Sequence, residues 1–229
     1  MSEADAALEL DGLERRYGER VALSGVTVRL QPGQTLSVFG ANGAGKTTLL
    51  RVLAGLLRPH AGTARVLGSE LPGETWQVRG RIGYLGHDPL LYRDLTAREN
   101  LVYQSRLYGL APGRVDEVLV AVGLERRANE PLRDLSKGMV QRLAAARATL
   151  HDPELLLLDE PRANLDPAAA ERLEPLIGRQ SGRARVLVTH DVDGGLAEAD
   201  VAVGLRGGRQ VFALAASDID AAGARELYS

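Results

Sequence analysis

Cysteine is absent from the 229 residues, which excludes disulfides and thiolate metal sites. The four histidines, His60, His87, His151 and His190, are scattered and include no H-E-x-x-H spacing, so no transition-metal site built from protein side chains is expected. Aromatic residues make up only 4% and the net charge is −2 with both signs interspersed. Such a chain has neither the basic stripe nor the stacking platform that nucleic acid requires. Long apolar runs are also missing: nothing approaches the roughly 18 consecutive residues that span a bilayer. The segment MSEADAALELDG is acidic, where a secretory leader is basic and then apolar. The chain is therefore expected to stay in the cytoplasm and to meet a membrane only through a protein partner.

What is present is an average globular composition, 45% hydrophobic and 25% charged, which supports a substantial core. The length is large for one core and small for two independent ones, so a single domain with lobes is expected. ALELDGLERRYG and VALSGVTVRL alternate as strands, QPGQ turns the chain, and TLSVFG runs apolar into a glycine-rich loop. KTTLLRVLAGLL then repeats apolar residues at helical spacing as far as Arg58-Pro59. GTARVLG and RIGYLG read as further strands. From Thr96 the pattern becomes helical, with Thr96 and Glu99 forming a capping box.

The strand signal returns in ELLLLDEP and ARVLVTH, apolar runs of the kind buried on both faces by helices. Asp166-Pro167 between them starts a helix, with Asp as N-cap and Pro in the first turn. VAVGLRGGRQVFAL reads as a hairpin turned at Gly207-Gly208, followed by a short polar end. These elements predict an α/β fold: a core with a parallel sheet, a small antiparallel β lobe and a helical insertion. Residues of about 1–95 and 152–205 are expected to form the core with its β lobe, about 96–151 the helical lobe, and about 206–229 the hairpin and tail.

Three segments carry chemistry. Gly40-Ala41-Asn42-Gly43-Ala44-Gly45-Lys46-Thr47 fits G-x-x-x-x-G-K-S/T between a strand and a helix. Its glycines let backbone N–H groups close around phosphates, and the helix N-terminus adds partial positive charge. Lys46 reaches toward the β and γ phosphates of a nucleotide, and the Thr47 hydroxyl, followed by Thr48, is a ligand for Mg²⁺. Asp159-Glu160 ends the leucine run. Asp159 suits a hydrated metal ion, and Glu160, one residue on, is placed to polarise an attacking water. His190 ends ARVLVTH and is expected at the same sheet edge, within reach of a γ-phosphate.

In order and spacing, GANGAGKT, LSKGM, LLLLDEP, NLD and VTH resemble the phosphate loop, signature, acidic strand, D-loop and switch histidine of ABC transporter ATPases, over about residues 8–210. The resemblance implies a P-loop NTPase core, the fold of an ABC ATPase cassette, that binds nucleotide, with ATP and Mg²⁺ as ligands and integral membrane transporter subunits as partners. It also implies a second ATPase subunit, taken as a homodimer, on the cytoplasmic face of the membrane. Ser136 and Gly138 of the signature would then close the partner's site, Asp166 would lie at the dimer seam, and Tyr17 would stack on adenine. The signature departs from the family's LSGGQ at Lys137 and Met139. His87 stands where most members have a glutamine that senses the metal and the membrane subunit, and could still donate or accept one hydrogen bond there. YLGHDPLLYRDLTARENL followed by LYGL is similar to the haem-exporter ATPase of cytochrome c biogenesis. A generic drug, lipid or polysaccharide exporter is the alternative.

Overall fold

Residues 6–228 are described by the computed structural model. They begin with a long antiparallel hairpin, β1 (Leu8–Tyr17) and β2 (Arg20–Leu30), followed by β3 (Thr35–Phe39) and α1 (Lys46–Leu53). β4 (Ala61–Val66) and β5 (Ser69–Leu71) extend the antiparallel part, and α2 (Thr75–Val78) leads to β6 (Ile82–Leu85). Three helices come next: α3 (Ala97–Tyr108), α4 (Arg114–Ala121) and α5 (Lys137–Thr149). The capping box is formed as expected, with Thr96 accepting from the Glu99 N–H and Glu99 accepting from the Thr96 N–H.

β7 (Leu155–Asp159), α6 (Pro167–Ile177), β8 (Ala184–Val188) and α7 (Val192–Glu198) complete the α/β alternation. The hairpin of β9 (Val201–Arg206) and β10 (Arg209–Ala215) turns at Gly207 and Gly208, both with positive φ, and α8 (Ala221–Arg225) follows. Among the described residues the strands join in one sheet, in the order β5-β4-β1-β2-β10-β9-β3-β8-β7-β6. The run β9-β3-β8-β7-β6 is parallel, and β5-β4-β1-β2 is antiparallel.

The leucine run shows how sequence period sets the layers. Successive side chains of a strand point to opposite faces: Leu155 and Leu157 join the apolar cluster under α1 and the β lobe, while Leu156 and Leu158 join the cluster formed with α3, α4 and α5. All four are fully buried, and each such leucine stabilises the fold by about 1.5–3 kcal/mol relative to exposure. No helix among the described residues is long and apolar enough to cross a membrane.

Four expectations are corrected. The helix after the phosphate loop stops at Leu53 rather than near Arg58, because Gly55 takes a left-handed φ of +68° and lies against Thr75, whose Cγ2 is 2.2 Å from where a Cβ would stand. His190 lies two residues beyond the end of β8 instead of closing the strand. The segments forming α2 and α7 carried no helical expectation, being short and, for α7, containing Gly194-Gly195. The tail after the hairpin is not simply polar: Ala224 and Leu227 are buried against Phe39, Val192 and Ala202.

Candidate nucleotide site at the carboxyl edge of the sheet

Strand register brings the three chemical segments together. Val188 of β8 lies opposite Asp159 on one side and Val38 on the other. The chain therefore leaves β3, β7 and β8 at one level of the sheet, where open α/β sheets hold their ligands. From β3 it enters the loop 40–45, from β7 it reaches Glu160, and from β8 it reaches His190.

Two glycines of the loop are fixed by close backbone approach. Gly40 has φ +147° and a Cβ there would stand 2.3 Å from the Leu205 carbonyl oxygen; Gly45 has φ +109° and a Cβ would stand 2.3 Å from that of Ala22. Ala44 is buried beneath the loop. Lys46, only 7% exposed, donates to the carbonyls of Gly40 at 2.5 Å and Ala41 at 3.1 Å. Burial pushes its ammonium pKa down, against the opposing pull of Glu160 and Asp159.

The Thr47 hydroxyl donates to Asp159 Oδ2 at 2.9 Å, joining the helix start to the end of β7. Asp159 is 6% exposed. Glu160 takes a left-handed φ of +50°, which turns the chain out of the strand while its N–H still donates to Val188 O at 2.9 Å. Burial raises the Glu160 carboxyl above the usual range; His190 and Lys46 pull the other way and Asp159 adds to the rise. Its Oε1 lies 3.3 Å from His190 Nε2, without a hydrogen bond of regular geometry.

These groups surround a cleft of about 580 Å³ that Tyr17, Asn42, Gly43, Gly45, Thr48 and His87 also line. Tyr17 is exposed, with the Arg15 guanidinium 5.0 Å from its ring centroid. His87 lies in the loop after β6 and is among the residues lining the cleft. Ser136, Gly138 and Asp166 are not among the lining residues. Ser136 caps α5 by accepting from the Met139 N–H at 3.2 Å. Gly138 packs on the loop after β7, where a Cβ would stand 3.0 Å from Asn164 O. Asp166 caps α6 by accepting from the Ala169 N–H at 2.8 Å.

Three residues of this region carried no expectation. Arg20 lines the cleft beside Gly43, but a single arginine at the start of a strand has no motif to mark it. Gln141 donates from α5 to the carbonyls of Glu160 at 3.4 Å and Pro161 at 3.1 Å; its position on the helix after LSKGM is the signal that was available. Tyr228 donates to Thr189 O at 3.1 Å, next to His190.

The family model described as ABC transporter matches residues 23–163. The Nod factor export ATP-binding protein I of Paraburkholderia xenovorans is 38% identical over 194 residues, covering 81% of this chain and 63% of that protein. The daunorubicin resistance ATP-binding protein DrrA3 of Streptomyces coeruleorubidus is 42% identical over 191 residues, covering 81% and 60%. The chain thus spans about three fifths of the length of these curated relatives. Among solved structures, an ATP-binding subunit of an ABC transporter superposes with a TM-score of 0.84 at 30% identity, covering 93% of this chain and 91% of that one. A dimeric ATP-binding cassette in a post-hydrolysis state, bound to ADP and Pi, gives 0.79 at 27% identity, covering 91% and 98%. These relatives are named for Nod factor export and daunorubicin resistance rather than for haem export. With its loop, carboxylates and histidine at one sheet edge, the chain belongs to the ABC transporter family.

Proposed function

We propose that this chain is the ATP-hydrolysing subunit of an ABC exporter, working as a pair on the cytoplasmic face of a membrane beside integral membrane subunits. The observation that carries the reading is the cleft itself, where Lys46, the Thr47–Asp159 pair, Glu160 and His190 converge. Backbone N–H groups of residues 42–47 cradle the ATP phosphates, and Lys46 exchanges its loop carbonyls for the β and γ oxygens. Tyr17 stacks on the adenine ring. A hydroxyl and a carboxylate 2.9 Å apart at the cleft wall are the hard oxygen donors that suit Mg²⁺. When bound there, Mg²⁺ would neutralise charge developing on the β and γ phosphates.

Glu160 takes a proton from the attacking water, and its raised pKa makes it a better base than a solvated carboxylate. The water oxygen bonds to the γ-phosphorus as the bond to the bridging oxygen breaks, and ADP leaves. His190 holds the γ-phosphate and the water, and His87 contributes one hydrogen bond. Ser136 and Gly138, placed away from their own cleft, would close the cleft of a second copy with Asp166 at the seam. The post-hydrolysis dimer among the structural neighbours supports this pairing.

A generic drug, lipid or polysaccharide exporter is the first reading, and the drug class among these is the one that the name of a relative, daunorubicin resistance, supports. A haem cargo for cytochrome c assembly is a second reading, carried by the YLGHDPLLYRDLTARENL segment. Restoration of c-type cytochrome absorption bands in cells lacking this protein, by wild type and not by Lys46→Ala, would favour haem; bands intact without the protein would remove it. For the hydrolytic step, Glu160→Gln should retain ATP binding while phosphate release falls by roughly 10² to 10⁴. Unchanged turnover would remove Glu160 as the base.

A further inference from the structure

We propose that residues 221–228 brace the loop carrying His190, and that Tyr228 is a positioning residue for that imidazole; the proposal rests on the ATPase reading above. The loop joins the end of β8 at Val188 to the start of α7 at Val192. Tyr228 meets it twice. Its hydroxyl donates to Thr189 O at 3.1 Å, and its ring packs edge-on against the His190 imidazole, with centroids 5.9 Å apart at 60°. His190 is half exposed, so neighbours rather than burial must hold its ring. Glu160 Oε1 stands 3.3 Å from one ring nitrogen, and the tyrosine supplies the second constraint.

The segment bearing Tyr228 is itself anchored by other contacts. Leu227 and Ala224 are buried with Phe39, the last residue before the phosphate loop, and with Val192, the first residue of α7. Arg225 pairs with both oxygens of Asp193 in the first turn of α7, at 2.7 and 2.5 Å. Arg206 at the end of β9 donates to Glu226 O at 2.5 Å. These contacts fix the backbone independently of the tyrosine, so removing its side chain should leave the segment in place. What is lost is the restraint on the Thr189 carbonyl and on the His190 ring, together with the hydroxyl's contact with the Gly40 backbone.

Tyr228 touches neither the phosphates nor the water in this reading; its hydroxyl also faces the Gly40 backbone at the start of the glycine-rich loop, and a double-mutant cycle separates the coupling to His190 from that contact. The experiment measures Mg²⁺-ATP phosphate release by the full chain for Tyr228→Ala and Tyr228→Phe, each in wild-type and His190→Ala backgrounds. Tyr228→Ala should lower kcat about five- to tenfold with KM unchanged, the signature of a group that matters in the transition state. Tyr228→Phe, which keeps the ring, should lose less. In the His190→Ala background both losses should shrink to what the Gly40 contact alone contributes. An unchanged kcat in Tyr228→Ala, or an equal loss in both backgrounds, overturns the proposal. The His190 ring resonances, assigned by their loss in His190→Ala, should shift in Tyr228→Ala while those of His60 stay in place. That reading needs no turnover. If wild type binds ATP and releases no phosphate, the hydrolytic reading fails, and immobile His190 resonances would then overturn the brace separately.

Discussion

Glu198 is the carboxylate on which a fully buried cation depends, and replacing it by alanine should destabilise the fold by about 3–5 kcal/mol. Arg185 is 1% exposed. Its guanidinium donates to Thr35 Oγ1 at 3.1 and 2.8 Å, to Ile177 O at 3.1 Å and to Glu198 Oε2 at 2.8 Å. The first two partners are neutral, so truncating Glu198 leaves the charge uncompensated in a low-dielectric setting. Glu198 also accepts from Arg162 at 2.6 Å, but Arg162 is 48% exposed and keeps Glu174 at 2.9 Å, so its share is about 1 kcal/mol or less. At a slope of about 3 kcal/mol per molar, the urea midpoint should fall by at least about 1 M. Glu154→Ala, which breaks the exposed Arg81 pair, should cost about 1 kcal/mol at most and serves as the control. The double variant Arg185→Met with Glu198→Leu removes charge from both sides and should recover most of the loss. A fall of less than about 0.3 M for Glu198→Ala would refute the reasoning, since it would mean that neutral acceptors or water satisfy the buried guanidinium.

Gly45→Ala should abolish tight nucleotide binding, because the new Cβ meets the Ala22 carbonyl at 2.3 Å in a backbone conformation with φ +109°; Gly207→Ala, with open space around it, should leave affinity unchanged in the same calorimetric titration. The pH dependence of stability should report Glu160. Its folded pKa is raised by burial, so this group's contribution is complete below the unfolded value of about 4.3 and is lost as pH rises through the folded value. Glu160→Gln has no such proton to lose and should gain stability relative to wild type between about pH 4 and pH 7. A midpoint difference constant across that range would count against the buried, raised carboxyl.

The parallel sheet, the β lobe and the helix-rich stretch were legible because their signals are local. A run such as LLLL is buried on both faces whatever the tertiary detail, and Thr96 with Glu99 caps a helix within four residues. The glycine-rich loop between β3 and α1 was legible for the same reason, being one contiguous motif. The early end of α1 was not, since apolar spacing continues through Leu56 and Leu57 and what stops the helix is a contact between Gly55 and Thr75, twenty positions on. The packed tail escaped as well: a few apolar residues in a polar stretch reveal their partners only when β3 and α7 are already in place.

The site's supports share that long-range character, and Glu160 shows why they matter. A glutamate at φ +50° is held in a conformation that costs on the order of 1–2 kcal/mol, so the surrounding structure must over-determine it. Three elements do so: β8 accepts its N–H through Val188 O, α5 holds its carbonyl and that of Pro161 through Gln141, and His190 faces its carboxylate. The sequence marks Glu160 and His190 as chemistry because strand ends and charged residues coincide there. It is silent about Gln141 and Tyr228, which are ordinary residues on a helix and in a tail. Since Ser136 caps α5 and Gln141 of the same helix grips the backbone at Glu160 and Pro161, a ligand that shifts Ser136 in the dimer proposed above would pull on the Glu160 backbone through Gln141. On that proposal, coupling between half-sites would need only about one and a half turns of helix and a side-chain amide.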